Sequence, residues 1–466
     1  MCAGVAGRVA THVPAQRTIE RTVLSPALVA VCLGYFMVIL DSTVVNVALP
    51  ALRVDLHADV SGLQWVVDSY LLVLAAGLLS AGALADRWGA RRVFQVGLGV
   101  FVVASAGCGL APALDVLLAA RVVQGVGAAL AVPASLALLR TAYTDSGARA
   151  RAVGIWGGIA GLAAAAGPIL GGVLVSTVSW RLVFFVNLPV GLAAMVLTAR
   201  FVPAPAGRPR SLDLGGQCTA VLALVALSVA LIDAGRGGLT GTVVAAGIVF
   251  LLAAAAFVVI ERRVSTPMLP LDLFTHRMLS AGTLVGLLIN LGFYGELFVI
   301  NLYFQQVRHY SALLAGLALL PQMGVVAAGS AVSGRFTARA GGPRPTMLIG
   351  LLAGGAGLLG LVPTTAQTPY VVLVGPLVAA GFGMSFTMPA ATTAVTDAAP
   401  HEHSGLASGV VNAARQAGSV IGVALLGALV SRQADMVSGL HAALVAAGLA
   451  FLAGFVIVAC VRPRHE

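Results

Sequence analysis

Fourteen apolar segments of roughly 20 residues recur along this chain of 466 residues and constrain its fold more than any other feature. Their approximate ranges are 27–49, 62–83, 93–111, 115–138, 152–174, 182–200, 214–232, 241–260, 280–304, 312–333, 346–363, 370–392, 408–430 and 440–461. A helix of about 20 apolar residues crosses a bilayer and satisfies its own backbone hydrogen bonds. Because the connecting segments hold nearly all of the charges, the pattern predicts an all-α polytopic membrane protein.

The composition excludes most other classes of protein. The chain is 59% hydrophobic and 9% charged, whereas a soluble domain is about 25% charged. All 27 basic residues are arginine, for which the codon usage of a GC-rich genome is a sufficient explanation. Without lysine the chain forms neither a Walker A phosphate site nor a Schiff base, so a transporter of this composition needs another energy source. The five cysteines show no CxxC spacing, and no metal or cofactor is expected.

The distribution of arginine indicates the orientation of the chain. With the N-terminus inside the cell, the cytoplasmic segments carry 20 arginines and the opposite loops carry 5, while Arg121 and Arg415 fall within helices. Cytoplasmic loops of membrane proteins carry an excess of positive residues. The asymmetry therefore predicts the fourteen-helix register and cytoplasmic N- and C-termini.

An internal repeat divides the predicted helices into two halves. Two motifs recur at offsets of 252 and 256 residues: Gly82-x6-Gly89-x2-Arg92 as Gly334-x6-Gly341-x2-Arg344, and Gly125-x-Gly127-x5-Pro133 as Gly381-x-Gly383-x5-Pro389. Many secondary transporters consist of two such halves with the substrate site between them. We predict a cytoplasmic tail over 1–25, a six-helix bundle over 26–201, a linker with two extra helices over 202–278, a second bundle over 279–461 and a tail over 462–466.

Four ordered motifs in the first half resemble one known family. They are Leu40-Asp41-Ser-Thr43-x2-Asn46-x3-Pro50, Gly82-x3-Asp86-Arg87-Trp-Gly89-Ala-Arg91-Arg92, Arg121-x2-Gln124-Gly125-x-Gly127, and Ala163-x3-Gly167-Pro168-x2-Gly171-Gly172. Together they are similar to the motifs of the fourteen-helix drug:proton antiporters of the major facilitator superfamily. The resemblance covers about residues 25–460 and implies the major facilitator fold, with two six-helix bundles and two inserted linker helices.

The motifs also have physical interpretations. The loop at Asp86 is a tight turn whose acid can pair with arginine or cap a helix when the cytoplasmic side is shut, which would make it a conformational latch. A charge that only sets topology is the alternative. Pro168 removes a helical hydrogen bond and kinks its helix, and the neighbouring glycines admit a facing helix. That motif predicts a bend with close packing; a generic interface of small residues is the alternative.

Five charged residues lie inside predicted helices, where a charge is costly unless it is paired or functional. They are Asp41, Asp68, Arg121, Glu296 and Arg415. At about 1.5 Å per residue, Asp41 lies roughly 12 Å from the outer end of its helix, and Asp68 and Arg121 lie roughly 9 Å from theirs. We expect these three to share a layer in which a carboxyl beside an arginine exchanges protons. Static ion pairing is the alternative, and Asp68 is alternatively an interfacial acid.

Polar residues on the same helices are candidates for lining a cavity. Asn290, Tyr294 and Asn301 share one stripe of the ninth predicted helix, and Glu296 lies about 150° away. An ideal helix cannot direct both toward one cavity, so either its glycines distort it or one set only packs. Arg415 is expected mainly to tie helices together. The cavity candidates are Asn46, Gln64, Gln124, Asn290, Tyr294, Asn301 and Arg415, beside Asp41, Asp68, Arg121 and Glu296 as coupling or binding residues.

The resemblance implies an exporter of small lipophilic drugs or antibiotics, driven by protons that enter as the compound leaves. We expect the small-molecule substrate, protons and the lipid bilayer as partners, no nucleic acid, and a monomer in the cell membrane. An uptake symporter is the alternative within transport, and the Gly167-Pro168 motif argues against it. A membrane sensor without transport is a further alternative, although no loop exceeds about 20 residues.

Overall fold

A computed structural model describes residues 25–143, 145–203, 213–264, 267, 269, 271–398, 404–433 and 435–461. The predicted tails, apart from residue 25, and part of the predicted linker lie outside the described residues. The described chain is all-α. Its helices are α1 (Pro26–Asp55), α2 (Val60–Trp88), α3 (Ala90–Gly109), α4 (Leu114–Ala142), α5 (Ser146–Thr177), α6 (Leu182–Phe185), α7 (Asn187–Phe201), α8 (Leu214–Gly237), α9 (Gly241–Arg263), α10 (Arg277–Leu302), α11 (Ala312–Ala318), α12 (Leu320–Arg339), α13 (Pro343–Gly360), α14 (Tyr370–Ala398), α15 (Ser404–Arg432) and α16 (Met436–Cys460).

Many of these helices begin where a short polar side chain can accept a hydrogen bond from the first turn. Such side chains satisfy backbone N–H groups that have no partner within the helix. The capping residues are Ser25, Asp59, Asp145, Asp213, Thr240, Ser311 and Asp435. Polar residues between the apolar segments therefore determine where these helices begin, in addition to facing water.

The predicted fourteen spans are found only in part. Among the described residues, twelve helices are long and apolar enough to cross a membrane, or thirteen if α11 and α12, bent by 43°, count as one span. The predicted span 346–363 corresponds to α13, which has 18 residues and begins with Pro343-Arg344-Pro345. These three polar or helix-breaking residues leave α13 too little apolar length to meet the same criterion.

The same helix pairs pack together in the first and last parts of the chain. Helices α1–α7 form the N-terminal set, α10–α16 form the C-terminal set, and α8 and α9 are the intervening pair. The contacts α1 with α5, α2 with α4, α3 with α4 and α1 with α7 correspond to α10 with α15, α12 with α14, α13 with α14 and α10 with α16. The packing therefore repeats along the chain as the two glycine motifs do.

The helix ends form two layers of different charge. At the Arg-poor end, Arg181 pairs with Asp55 at 2.7 Å and Arg236 pairs with Asp59 at 2.8 Å. At the Arg-rich end, where α1 and α3 begin, Arg91 donates to the carbonyl of Ala199 at 2.7 Å. The bundle thus has an Arg-poor end at Asp55 and Asp59 and an Arg-rich end at Arg91.

The intervening helix α8 lies against both sets. Gln217 donates to the carbonyl of Ala76 on α2 at 2.7 Å, and the pair of Arg236 with Asp59 joins the same two helices at the Arg-poor end. A Cβ added at Gly235 would lie 2.7 Å from Cα of Ala428 on α15. Helix α8 thus spans the seam between α2 and α15.

Candidate functional site

A fully buried ion pair joins α1 to α4. Arg121 Nη1 lies 2.5 Å from Asp41 Oδ2, and the two side chains are 1% and 0% exposed. The other oxygen of Asp41 accepts a hydrogen bond from Gln124 Nε2 at 2.9 Å. Every oxygen of this carboxylate therefore has a donor, which is the condition for keeping a charge inside a protein.

Helix α1 is longer than predicted, and the structure brings Asp41 to Arg121. Helix α1 continues through Pro50 to Asp55, so Asp41 lies 14 residues, or about 21 Å, from the Arg-poor end of its helix. Arg121 lies only 7 residues from Leu114, the first residue of α4. The helix ends do not lie in one plane, so depths counted from the ends cannot define a common layer.

Arg121 has three further partners. Its Nη1 donates to Gln124 Oε1 at 2.7 Å and its Nε donates to the carbonyl of Val66 at 3.0 Å. The guanidinium carbon lies 4.2 Å from the centroid of the Tyr70 ring, within cation–π range. Arg121 thus ties α4 to both α1 and α2.

Two polar residues of this network were not predicted from the sequence. Asn187, the first residue of α7, donates from Nδ2 to Asp41 Oδ1 at 2.9 Å. Ser105 on α3 accepts a hydrogen bond from Gln124 Nε2 at 2.8 Å. Both side chains are 0% exposed. A lone Asn or Ser in an apolar segment is a weak signal, but a buried polar group in a membrane helix needs a partner.

Asp68 does not belong to this network. It is 0% exposed, and neither of its oxygens has a hydrogen-bond partner among the described residues. It lies eight residues from Val60, the first residue of α2, and protein encloses its side chain. One turn away, Gln64 crosses to the C-terminal set and donates to the carbonyl of Ala424 on α15 at 2.8 Å. Asp68 is therefore a buried acid close to a contact between the two sets.

Glu296 also lies outside the Asp41 network. Its Oε2 accepts from Gln322 Nε2 on α12 at 2.8 Å, and its Oε1 has no partner among the described residues. The repeat offset of about 255 residues relates Glu296 to Asp41. In the first set the acid has an arginine partner, whereas in the second its described partner is an amide.

The polar stripe of α10 faces other neighbours than Glu296. Asn301 donates to the carbonyl of Asn46 on α1, and Asn290 accepts from Ser419 Oγ on α15 at 3.5 Å. Helix α10 is continuous over Arg277–Leu302, so its glycines do not rotate one group toward the other. The stripe contacts α1 and α15, and Glu296 packs against α12 within the C-terminal set.

The glycine motif after α2 forms a one-residue turn. Gly89 has φ 90°, a conformation that favours glycine, and α3 starts at the next residue. Gly82 faces Pro133 of α4, and the side chains of Asp86, Arg87 and Arg92 are exposed. The structure places these residues at the Arg-rich end, as the sequence predicts, and the latch role of Asp86 stays a prediction.

Arg344 of the second repeat corresponds in the structure to Arg91 and not to Arg92, because Arg91 and Arg344 make the same kind of contact. Arg91 donates to the carbonyl of Ala199 in the last turn of α7. Arg344 donates to the carbonyls of Val458 at 3.2 Å and Ala459 at 2.9 Å at the end of α16. Cations at the C-terminus of a helix satisfy free carbonyls and complement the helix dipole.

The Gly167–Gly172 motif places α5 between the two sets. A Cβ at Gly171 would lie 2.9 Å from the carbonyl oxygen of Val44 on α1. A Cβ at Gly172 would lie 2.7 Å from Cα of Leu313 on α11. Gly167 likewise faces Thr43 and Val44 of α1. Helix α5 runs without a break through Pro168, and the close packing predicted for this motif is present; the bend at Pro168 stays a prediction.

The two sets are in contact near the Arg-poor end. Arg53 donates to Gln306 Oε1 at 2.8 Å, and Gln305 donates to the carbonyl of Val47 at 3.0 Å. Toward the Arg-rich end of α5, Cβ atoms added at Gly157 or Gly158 would meet no atom within 4 Å. The structure is therefore a conformation closed at the Arg-poor end.

A third polar cluster lies where the sets face one another. Arg415 on α15 is half-buried and donates from Nη1 to Asn412 of its own helix at 3.3 Å. The phenols of Tyr35 on α1 and Tyr294 on α10 lie within electrostatic range of its guanidinium. This hydrogen bond stays within α15, so it does not tie helices together as expected.

Two repeated sets of apolar helices that meet at one end and bury charges are the architecture of many secondary transporters. Comparison with known proteins gives the family. The model of the Major Facilitator Superfamily matches residues 31–423 and 342–466, and the chain belongs to that superfamily. It is therefore a multi-pass membrane transporter and not an enzyme.

Several curated relatives are similar over most of the chain. The chain is 38% identical over 429 residues to the "Methylenomycin A resistance protein" of Streptomyces coelicolor, covering 92% of this chain and 90% of that protein. It is 39% identical over 419 residues to the "Tetracenomycin C resistance and export protein" of Streptomyces glaucescens, covering 88% and 77%. It is 39% identical over 409 residues to the "Multidrug resistance protein Stp" of Mycobacterium tuberculosis, covering 87% and 75%.

Solved structures share the fold at low identity. A POT family transporter in complex with 5-aminolevulinic acid has a TM-score of 0.69 and 15% identity, covering 93% of this chain and 94% of that one. The human organic anion transporter MFSD10 has a TM-score of 0.62 and 17% identity, covering 94% and 99%. These similarities support the major facilitator fold.

Proposed function

We propose that this transporter exports small lipophilic organic compounds, drugs or antibiotics, across the cytoplasmic membrane in exchange for protons. The names of these relatives, which describe resistance and export, support the direction of transport. The chain acts as a monomer with two six-helix halves over 26–201 and 279–461. The linker over 202–278 supplies the two remaining helices, α13 is the fourteenth span, and both termini are cytoplasmic.

The observation that carries proton coupling is the buried pair of Asp41 and Arg121. A charged pair inside a bilayer protein is expensive, so its presence in a transporter points to a function. With Asp41 ionised, the pair holds α1 against α4 in the conformation closed at the Arg-poor end. When Asp41 takes up a proton the attraction is lost, and Arg121 is left with neutral partners.

Proton coupling follows if the conformation closed at the Arg-poor end and the conformation open at that end bind the proton with different affinity. A ligand shifts a conformational equilibrium only by its differential affinity for the two states. Protonation weakens the link between α1 and α4, whereas release of the proton restores it. A proton that enters from the Arg-poor side and leaves on the Arg-rich side thereby drives the substrate in the opposite direction.

The test compares Asp41→Asn with Asp435→Asn. Asn keeps the shape of the buried side chain but cannot take up a proton, and the exposed cap Asp435 is a matched control whose Asn variant still caps α16. A susceptibility panel in a pump-deficient host, with and without a protonophore, selects the compound. Proton release on adding it to detergent-solubilised protein, and its transport in proteoliposomes, are then measured.

We expect Asp41→Asn to lose proton release and proton-driven transport while still binding the compound, and Asp435→Asn to match the wild type. Full proton release by Asp41→Asn would assign coupling to another acid, with Glu296 examined first. Accumulation of the compound along an inward proton gradient would identify an uptake symporter and contradict export.

The orientation is tested separately. The exposed residues Ala338 at the Arg-rich end and Ala366 at the Arg-poor end are replaced by cysteine in a cysteine-free background. An impermeant maleimide added to intact cells should label Ala366→Cys and leave Ala338→Cys unlabelled. The reverse pattern would overturn the proposal of cytoplasmic termini.

A further inference from the structure

We propose that Arg415 is the centre of a binding site for the anionic group of an amphipathic organic acid, located between the two sets. This inference rests on the proposed export function and names a class of substrate for it. The carboxylate of the substrate would pair with the guanidinium, and its apolar body would lie against aromatic side chains of both sets.

The guanidinium of Arg415 has no anionic partner among the described residues. Its hydrogen bond to Asn412 is long, at 3.3 Å, and its Nε is buried without any partner. Arginine inside a membrane protein ordinarily faces a cavity and pairs with an acid, a carbonyl or a ligand. Arg121, by contrast, has an acid, an amide and a carbonyl as partners, so the half-buried Arg415 keeps hydrogen-bonding capacity that Arg121 does not.

A glycine of α10 makes room for the arginine, and the described titratable residues that act on it are two phenols. A Cβ at Gly286 of α10 would lie 3.1 Å from Cγ of Arg415, so the glycine lets the aliphatic stem pass. The titratable groups that act on Arg415 are the phenols of Tyr35 and Tyr294. Phenol groups donate hydrogen bonds to a carboxylate, whereas a cationic substrate would be repelled by the guanidinium.

Aromatic surface for the apolar body lies beside the arginine. Tyr35 stacks on Trp156 of α5 with ring centroids 3.9 Å apart and an angle of 9° between the planes. Tyr35, Trp156 and Arg415 lie 9, 10 and 11 residues from the first residues of α1, α5 and α15 at the Arg-rich end. At about 1.5 Å per residue, each of the three lies roughly 14–17 Å along its helix, and Tyr35 joins the stacked rings to the arginine.

Tyr70 links this site to the buried ion pair. Arg121 lies over the Tyr70 ring at 4.2 Å, and Tyr70 in turn lies within electrostatic range of Tyr35 and Tyr294. An anion bound at Arg415 is therefore separated from the Asp41 pair by aromatic rings of α1, α2 and α10. Guanidinium groups bind planar carboxylates through two parallel hydrogen bonds, which gives the site its selectivity.

The experiment measures binding of two probes that differ only in charge. Equilibrium dialysis of the full-length protein in detergent, with protein-free micelles as the blank, is carried out with 4-biphenylcarboxylate and its neutral amide. We expect the wild type to bind the carboxylate at least tenfold more tightly. Arg415→Gln should lose this preference with amide binding changed less than about twofold, as expected for a lost charge-assisted pair.

Two further variants keep the test decisive. Arg432→Gln removes an exposed arginine from the end of the same helix and should retain the preference. If Arg415→Gln does not fold, Arg415→Lys keeps the charge and should still prefer the carboxylate. Equal affinity of the wild type for the two probes, or an unchanged preference in Arg415→Gln, would overturn the inference.

Failure of this inference is distinguishable from failure of the export proposal. If the carboxylate preference is absent while a compound from the panel is still exported under a proton gradient, only the anion site is wrong. If the carboxylate binds through Arg415 but no compound is moved by a proton gradient, the site stands and proton-driven export is wrong.

Discussion

Gly172→Ala is expected to open the bundle at the Arg-poor end, and Gly158→Ala is its matched control on the same helix. The Cβ at position 172 would lie 2.7 Å from Cα of Leu313 and 2.9 Å from the carbonyl oxygen of Ala312. Both are backbone atoms of α11, so no side-chain rotation can relieve the overlap. At position 158 the added Cβ would meet nothing within 4 Å.

The magnitude follows from these distances. Carbon atoms in ordinary contact lie about 3.5–4.0 Å apart, so α5 and α11 must separate by about 1 Å. Overpacking of this kind costs about 1–3 kcal/mol, which corresponds to a shift of roughly 5-fold to 150-fold in the equilibrium between conformations. Gly158→Ala should be neutral or stabilise α5 by about 0.5–1 kcal/mol through lower backbone entropy in the unfolded chain.

The assay follows labelling of Val47→Cys in a cysteine-free background. Val47 is 1% exposed on α1, and its carbonyl accepts the hydrogen bond of Gln305 from the C-terminal set. Gly172→Ala should raise the rate of maleimide labelling at this cysteine at least fivefold, and Gly158→Ala should leave it within about twofold. Equal labelling in the two variants would refute the conclusion that Gly172 permits closure.

Three further predictions concern stability. Arg91→Gln should lower the free energy of unfolding by about 0.5–1 kcal/mol because the last turn of α7 loses its cap. Arg92→Gln should leave the free energy of unfolding unchanged. Equal melting temperatures of the two variants would exclude a capping role for Arg91. Burial by itself would raise the pKa of Asp59, but hydrogen bonds from its helix and from Arg236 hold that pKa below its usual value. The resulting stabilisation is present above about pH 4 and is lost as pH falls through the lowered pKa. Arg236→Gln should therefore show a smaller difference between its melting temperatures at pH 6 and pH 3 than the wild type does. An unchanged difference would show that the pair of Arg236 with Asp59 does not stabilise the protein. Glu296→Gln should fold normally, whereas Glu296→Leu should lower the free energy of unfolding by about 1–3 kcal/mol because the buried Gln322 amide loses its acceptor. Identical melting curves of the two variants would show that this hydrogen bond does not stabilise the fold.

The sequence predicted the helices far better than it predicted their ends. The polarity of the loops and the length of the apolar runs are local properties, which a sequence shows directly. Thirteen of the fourteen predicted segments therefore lie on helices long and apolar enough to cross a membrane, when α11 and α12 count as one span. The first predicted segment ends at residue 49, before Pro50, yet α1 continues to Asp55. Proline is tolerated in membrane helices because neighbouring helices satisfy the freed groups.

Candidate residues could be named from the sequence because a charge or amide in an apolar segment is expensive wherever it lies. Asp41, Arg121, Asp68 and Glu296 were found in this way. The partners could not be found. Asn187 reaches Asp41 across 146 residues, and Gln322 donates a hydrogen bond to Glu296 from another helix.

The sequence by itself determined that this chain is a bundle of membrane helices, belongs to the major facilitator superfamily by its motifs, and buries a small number of charges. Only the tertiary structure decided that Arg121 is paired with Asp41, that Asp68 has no described partner, and that Arg415 lies within electrostatic range of two phenols. The physical reason is that pairing depends on the rotation and offset of helices that are distant in the chain. Hydropathy determines that each helix crosses the bilayer, but it determines neither the rotation of a helix about its axis nor its offset along that axis.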